Sequence, residues 1–222
     1  MPNGEKPRLE AIVLAAGSGR RYGGDKRLAP VDGASLLQNA LSKPLALGLA
    51  TTVVLKPDDE PLLSALLGHY KEHQLLKIVY AKDASSGMGH SLAAGVTAIL
   101  QSPENVDGAF IFLADMPFLE IVTIQTIASR FDFEKIVVPC NVSSEGKRLP
   151  GHPVLFGRPW LERLCSLSGD NGAKSILRDN QQDIIYIPVS DKGILLDIDQ
   201  PDDLPADSIE KTGVATPTLF NT

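Results

Sequence analysis

Cysteine is scarce in this chain: among 222 residues there are two, Cys140 and Cys165, with neither a Cys-x-x-Cys pair nor a Cys/His ligand spacing around them. Zinc sites built on thiolates and disulfide frameworks are thereby disfavoured, and a reducing compartment, the cytoplasm, fits. Long apolar runs are missing as well. Nothing approaches the roughly 18 apolar residues that a membrane span requires. The opening MPNGEKPRLE has no apolar signal core, so the expected protein is soluble and unexported. Basic charge is in deficit: Lys and Arg number 21 against 27 Asp and Glu, a net charge of −6. A surface that tracks phosphates along a polymer shows as a basic balance or stripe, so neither nucleic acid nor membrane is an expected partner.

What is present is an ordinary globular composition, 43% hydrophobic and 22% charged, at a length suited to one α/β unit. The boundaries read as an extension over 1–8, a single domain over 9–206 and a loose tail over 207–222. AIVLAA (11–16), TTVVL (51–55), KIVYA (77–81), AFIFLA (109–114) and KIVVP (135–139) read as strands. Between them PLLSALLGHY (61–70), SLAAGVTAIL (91–100) and IVTIQTIASRF (121–131) read as amphipathic helices. This alternation implies a mostly parallel sheet covered by helices on both faces, a three-layer α/β/α fold of Rossmann-like kind. Ligands of such sheets gather at the carboxyl ends of the strands. SLLQNALSKPLALG (35–48) contains Pro44, which is expected to kink or divide its helix. After residue 140 the pattern is less regular: PVLFG (153–157), a helix from about Pro159, a second from about Asn171, then DIIYIPV (183–189) and ILLDI (194–198). KPDDEP (56–61) and QPDDLP (200–205) have unrelated flanks and read as two helix starts with acidic first turns, not as a repeat.

The densest feature is AAGSGRRYGGDKRLAP (15–30), which places four glycines and four basic residues directly after the first strand. A Rossmann fingerprint does not fit, because three residues rather than two separate Gly19 from Gly23 and no acidic residue ends a strand about 20 positions later. A P-loop does not fit either: Asp25 separates Gly24 from Lys26, and Arg27 stands where a hydroxyl is needed. What remains is a loop whose amides can surround a triphosphate, with Arg21 and Lys26 supplying charge that amides cannot. The plain alternative is a solvated basic turn. Asp115 follows AFIFLA and precedes Met-Pro, which puts it at a strand's carboxyl end. A carboxylate facing a triphosphate is repelled unless a cation lies between them, and Mg²⁺, which takes one or two carboxylates with waters and phosphate oxygens, suits that place. An Asp before a proline turn is also common turn chemistry. His69 and His73, four apart, suit a metal pair or a polar helix face, and no third ligand accompanies them.

LAAGSGRRYGGDK (14–26) resembles the L-A-A-G-x-S-x-R-M-G-x-x-K signature of nucleotidyltransferases with the nucleotide-diphospho-sugar transferase fold. GMGHSLAAG (87–95), LADMPFL (113–119) and DIDQPDDL (197–204) resemble, in order, the molybdenum cofactor cytidylyltransferase branch, as do GHPVLFGR (151–158) and GDNGAKSIL (169–177). Gly19 replaces the signature serine, Tyr22 its methionine and Gln200 the usual threonine. The resemblance implies a nucleotide held by Leu14, Ala15, Ala16, Gly17, Gly19, Arg21, Gly23, Lys26, Gly87 and Ser91. It implies catalytic roles for Lys26, Arg21 and Asp115, Mg²⁺ on Asp115 and Asp199 with Asp197 facing elsewhere, and an acceptor near His152. Plain readings stand beside these: Ser91 as a helix cap, His152 as a structural histidine between turns, and His90 as a loop residue without catalytic duty.

The reaction so implied joins CMP from CTP to the phosphate of molybdenum-molybdopterin with release of pyrophosphate, by alignment and charge stabilisation rather than proton shuttling. Guanylyl relatives read L-A-G-G where this chain has Leu14-Ala15-Ala16-Gly17, and the Ala16 methyl occupies space beside a purine, so cytosine is favoured. GGDK is more guanylyl-like, which keeps GTP as an alternative. Other small phosphorylated acceptors are open too. So is a non-catalytic, nucleotide-binding escort of a molybdoenzyme. A client molybdoenzyme or its maturation factor is the further partner that the resemblance suggests.

Overall fold

The computed structural model of the chain describes residues 6–17, 22, 24–59, 70 and 73–204. The tail expected over 207–222, and all but Tyr70 of the helix expected over 61–70, lie outside the described residues.

The five apolar runs form strands close to where they are expected: β1 (Leu9–Leu14), β4 (Ala50–Leu55), β5 (Leu76–Tyr80), β6 (Gly108–Leu113) and β7 (Ile136–Val142). A two-stranded ribbon, β2 (Pro30–Val31) with β3 (Ala34–Ser35), lies between β1 and β4 in the chain. β8 (Arg148–Pro150), β9 (Val154–Gly157) and β10 (Ile184–Pro188) complete the sheet, whose order is β10-β7-β9-β6-β1-β4-β5 with β8 on β7. β1 pairs in parallel with both β4 and β6, and β4 in parallel with β5. The chain therefore steps outward from β1 to β5 and returns to add β6 on the other side of β1. That reversal opens a crevice at the carboxyl end of β1, where open α/β sheets bind ligands. β9 is inserted antiparallel between β6 and β7, which makes the sheet mixed though mostly parallel.

Helices cover both faces. Alternate residues of the central strands divide between them: Ala11, Val13, Phe110 and Phe112 pack on α1 (Leu36–Ala46) and α3 (Ile121–Ala128), while Ile12, Ala109 and Ile111 pack on α2 (Met88–Leu100) and α4 (Arg158–Leu164). A short helix, α5 (Lys174–Asp179), follows on the second face. α2 lies unusually close to the sheet, because a Cβ on Gly95 would come within 2.8 Å of Ile12 Cγ2 and 2.7 Å of Val54 Cγ2. α1 begins with a capping box in which Ser35 Oγ accepts from the Gln38 amide and Gln38 Oε1 accepts from the Ser35 amide. Pro44 does not divide α1. It sits buried in the last turn, where its missing donor removes one terminal bond, and the helix runs on to Ala46. ILLDI likewise joins no strand ladder: it starts in the short 3-10 turn Lys192–Leu195 and continues as an irregular segment. Among the described residues no helix is long and apolar enough to cross a membrane.

Candidate active site

At the crevice beyond β1 lies a cleft of about 690 Å³ lined by Leu14, Ala16, Gly17, Lys26, Lys56, Gly87, Ser91, Asp115 and Asp199, among others. A drug-sized or nucleotide-sized ligand needs a volume on this scale. Four segments supply the glycine-rich wall and the charged groups at its centre. The end of β1 supplies Leu14 to Gly17, the turn Lys26–Leu28 supplies Lys26, the end of β6 supplies Asp115, and the segment after Lys192–Leu195 supplies Asp199.

Lys26 stands between the two carboxylates. Its Nζ donates to Asp115 Oδ2 at 2.8 Å, to Asp199 Oδ1 at 3.0 Å and to the Ile198 carbonyl at 3.2 Å. Burial works against the charge on Lys26, but these two acids outweigh it and hold its pKa above the ordinary lysine value. Among the described residues, nothing donates a hydrogen bond to the buried Asp115 Oδ1. Asp199 reaches the site because the Ile198 amide donates to the Asp115 carbonyl at 2.9 Å, while the Ile198 side chain is buried with Ala29, Val31 and Leu36. Asp203 fixes the same turn, accepting from the amides of Asp199 and Gln200 at 2.8 and 2.7 Å. Asp197 is exposed and is not among the cleft-lining residues, so Asp199 is the acid that meets Lys26.

The loop entering α2 forms the opposite wall. Gly87 has φ 126°, a conformation that favours glycine, and a Cβ there would lie 2.3 Å from the Gly169 carbonyl carbon. The Gly89 amide donates to the Gly169 carbonyl at 2.8 Å, so GMGHS and GDNG pack directly on each other in this wall. Gly87 is the N-cap of α2, without a side-chain cap bond; Ser91 lies inside the helix and is therefore no cap, and it is buried against the cleft.

Other expected residues fall differently. Ala15 is buried and lines a small pocket beside the cleft together with Gly17, Lys26 and Asp115, and its carbonyl accepts from Arg27 Nη1 at 2.9 Å. His152 sits beside the cleft, in a cavity of about 10 Å³ with Lys43, Leu113 and Met116, its Nδ1 3.5 Å from the Ile111 carbonyl. Burial pushes its imidazole pKa below the ordinary histidine value by disfavouring the charged form. His90 does not line the cleft. Gly19, Arg21, Gly23 and His69 lie outside the described residues.

Two features escape a reading of the sequence. Lys56, at the end of β4, brings a second cation to the cleft; it stands at the carboxyl edge of a strand beside β1, a signal that the ligand-edge rule contains. Arg27 is buried and saturated. Its guanidinium bonds Asp25 through Nε at 2.7 Å and also through Nη2, and it bonds Asp59 through Nη2 at 2.7 Å and also through Nη1. Asp59 in turn accepts from the Lys56 amide at 2.8 Å. Burial opposes ionisation of both acids, but Arg27 outweighs it and holds both below the usual carboxylate range. This clamp ties both flanks of the glycine-rich loop to the end of β4.

The sequence model of the family described as MobA-like NTP transferase domain matches residues 11–184. The chain belongs to that family. Among curated relatives of this MobA-like domain, the purine catabolism protein PucB of Bacillus subtilis (strain 168) is 28% identical over 201 residues, covering 89% of this chain and 94% of PucB. Rv0371c of Mycobacterium tuberculosis H37Rv superposes with a TM-score of 0.72 at 22% identity, covering 90% of this chain and 96% of that one. A nucleotidyl transferase from Methanothermobacter, Mth528, gives a TM-score of 0.72 at 20% identity, covering 88% and 94%. Both share the fold of this MobA-like domain. A further structure of Rv0371c, at a TM-score of 0.69 and 22% identity, is a complex with manganese.

Among the described residues no group of three or more His, Cys, Asp and Glu forms a metal cluster. The donor set at the cleft is instead two carboxylates, one with a buried oxygen lacking a partner. That set fits a hard divalent cation that keeps its waters and completes its shell with substrate phosphates, as Mg²⁺ does.

Proposed function

We propose that this chain transfers the nucleoside monophosphate of CTP to the phosphate of a molybdopterin-type acceptor, with Mg²⁺ as the metal. An oxygen of the acceptor phosphate attacks the α-phosphorus, the bond from that phosphorus to the bridging oxygen breaks, and pyrophosphate leaves with the electron pair. The observation that carries this reading is the meeting of Lys26, Asp115 and Asp199 at the mouth of a cleft large enough for a nucleotide. Lys26, with Lys56 beside it and Arg21 from the glycine-rich loop, supplies positive charge for the triphosphate; the loop amides add donors. Asp115 and Asp199 hold the metal, which supplies charge neutralisation on the phosphates when bound. No general base is required, since the attacking phosphate is already ionised. His152 lies beside Leu113 and Met116, next to the cleft, and takes part in the acceptor pocket. Rv0371c crystallised with manganese supports a divalent-metal site in a protein of this fold. A silent nucleotide-binding escort has no need of both acids.

Base choice rests on Ala16, whose methyl is buried against the cleft. A methyl there leaves less room for a purine than glycine would, a clash that discriminates as effectively as an attraction. The test is pyrophosphate release with CTP and with GTP, each with and without molybdenum-loaded molybdopterin. CTP with the acceptor is expected to give turnover. In melting curves with magnesium fixed, CTP at a hundredfold excess over its Kd is expected to stabilise the protein by about 2.7 kcal/mol, GTP at the same concentration by less, and Ala16→Gly to narrow the gap. A larger GTP shift in the unaltered protein would reverse the base assignment.

A further inference from the structure

Two acids suited to a divalent cation are already bridged by a cation that belongs to the chain. The Lys26 ammonium has three N–H donors, and Asp115, Asp199 and the Ile198 carbonyl take one each. In this arrangement Lys26 has no donor left for a phosphate. A divalent ion between the same two carboxylates would sit against the ammonium, where like charges repel steeply in a cleft of reduced dielectric. The buried Asp115 Oδ1, which has no hydrogen-bond partner among the described residues, marks the arrangement as one that serves the lysine but leaves the acid incompletely used. The Lys26 backbone, by contrast, is held: it lies between Asp25 and Arg27, which bond each other and, through Arg27, Asp59 and the Ala15 carbonyl. A fixed backbone under a long flexible side chain allows the ammonium to swing without moving the loop.

We infer that Lys26 is an internal counter-cation for Asp115 and Asp199, so that a divalent cation enters this site together with a nucleoside triphosphate, whose phosphates give the displaced ammonium a new partner. The inference rests on the nucleotidyltransferase reading above. Metal and nucleotide then bind with positive coupling, each raising the affinity for the other. Metal alone binds weakly because it must evict the lysine into the cleft with nothing to receive it.

The probe is Mn²⁺, followed by electron paramagnetic resonance for metal alone and by equilibrium dialysis of protein-bound metal when CTP is present. The variants are Lys26→Met, Lys26→Gln and Asp115→Asn, the first two also combined with the third, with circular dichroism as the check on folding. Wild-type protein is expected to bind Mn²⁺ weakly alone. Lys26→Met and Lys26→Gln should bind it about tenfold or more tightly without nucleotide, lose most of the coupling to CTP, and lose the gained affinity when Asp115→Asn is added. If neither Lys26 variant binds Mn²⁺ more tightly than wild type, while Asp115→Asn still removes the CTP-dependent metal, the counter-cation role is wrong and the transferase reading stands. If Asp115→Asn alters metal binding in no background, the two-carboxylate site is itself wrong, and with it the reading on which this inference rests.

Discussion

Lys26 and Arg27 are neighbours in one short turn, each between two aspartates, yet they end in opposite states. Arg27 is 8% exposed in its side chain, bonds Asp25 and Asp59 in forked geometry, and turns a further N–H to a backbone carbonyl. Its network is closed. Lys26 faces the cleft, its acids are 25% and 45% exposed, and Asp115 Oδ1 is a buried atom without a hydrogen-bond partner among the described residues. That network is open. A planar guanidinium with five donors in a fixed fork suits a permanent clamp, whereas an ammonium on a flexible stem suits a charge that must change partners. The pair teaches that adjacent networks of one cation between two aspartates serve architecture or chemistry according to which cation is used and how completely its partners' hydrogen bonds are satisfied.

Breaking the open network at its acid should have the largest effect. Asp115→Ala is expected to lower turnover by about three orders of magnitude or more, the scale on which charge-stabilising groups act. Its far-ultraviolet circular dichroism should match wild type, because Asp199 still compensates Lys26. Near-normal turnover in a folded Asp115→Ala protein would remove Asp115 from the site.

Breaking the closed network should strike stability instead. Arg27→Ala leaves two acids at a largely buried position without their counter-charge, and urea denaturation is expected to show a loss of about 3 to 5 kcal/mol. Arg27→Lys should recover only part of it, since a lysine cannot make the two forked pairs. A loss below about 1 kcal/mol, the value typical of exposed pairs, would mean that the clamp is solvated in solution.

The smallest effect separates the two networks by pH. Asp25 and Asp59 have folded pKa values below their unfolded ones, so the stability that they contribute is present above the unfolded carboxylate value, about 3.9, and is lost as pH falls through the folded values. Lys26 is shifted upward, so its contribution is present below the unfolded lysine value, about 10.4, and is lost as pH rises through the folded one. Stability measured against pH should therefore show an acid limb that Arg27→Ala flattens and an alkaline limb that Lys26→Met flattens. An acid limb unchanged by Arg27→Ala would detach it from the clamp.

Much of this molecule is legible along the chain. The strands around β1 announce themselves by apolar runs, and Asp115 is found because an acid directly after such a run must lie at the ligand edge. Pro44 is misleading for a local reason: a proline breaks a helix interior, and this one falls in the last turn, two residues before Ala46. Arg27 is hidden for a different reason. A basic residue in a glycine-rich loop carries the same local signal whether it meets a phosphate or two buried acids, and its second acid is 32 residues away.

The sequence by itself determined the alternation of strand and helix, the glycine-rich loop and the acid at the end of β6, because period, turn chemistry and strand ends depend on near neighbours. Tertiary structure alone decided that β9 runs antiparallel between β6 and β7, and that Gly87 rests on Gly169. It also decided that Asp199, 173 residues from Lys26, closes on it through the Ile198 amide, and that Lys56 enters the same cleft. Such meetings depend on how sheet order and loop closure bring distant segments together, and the residues that meet carry no periodic signal of their partners.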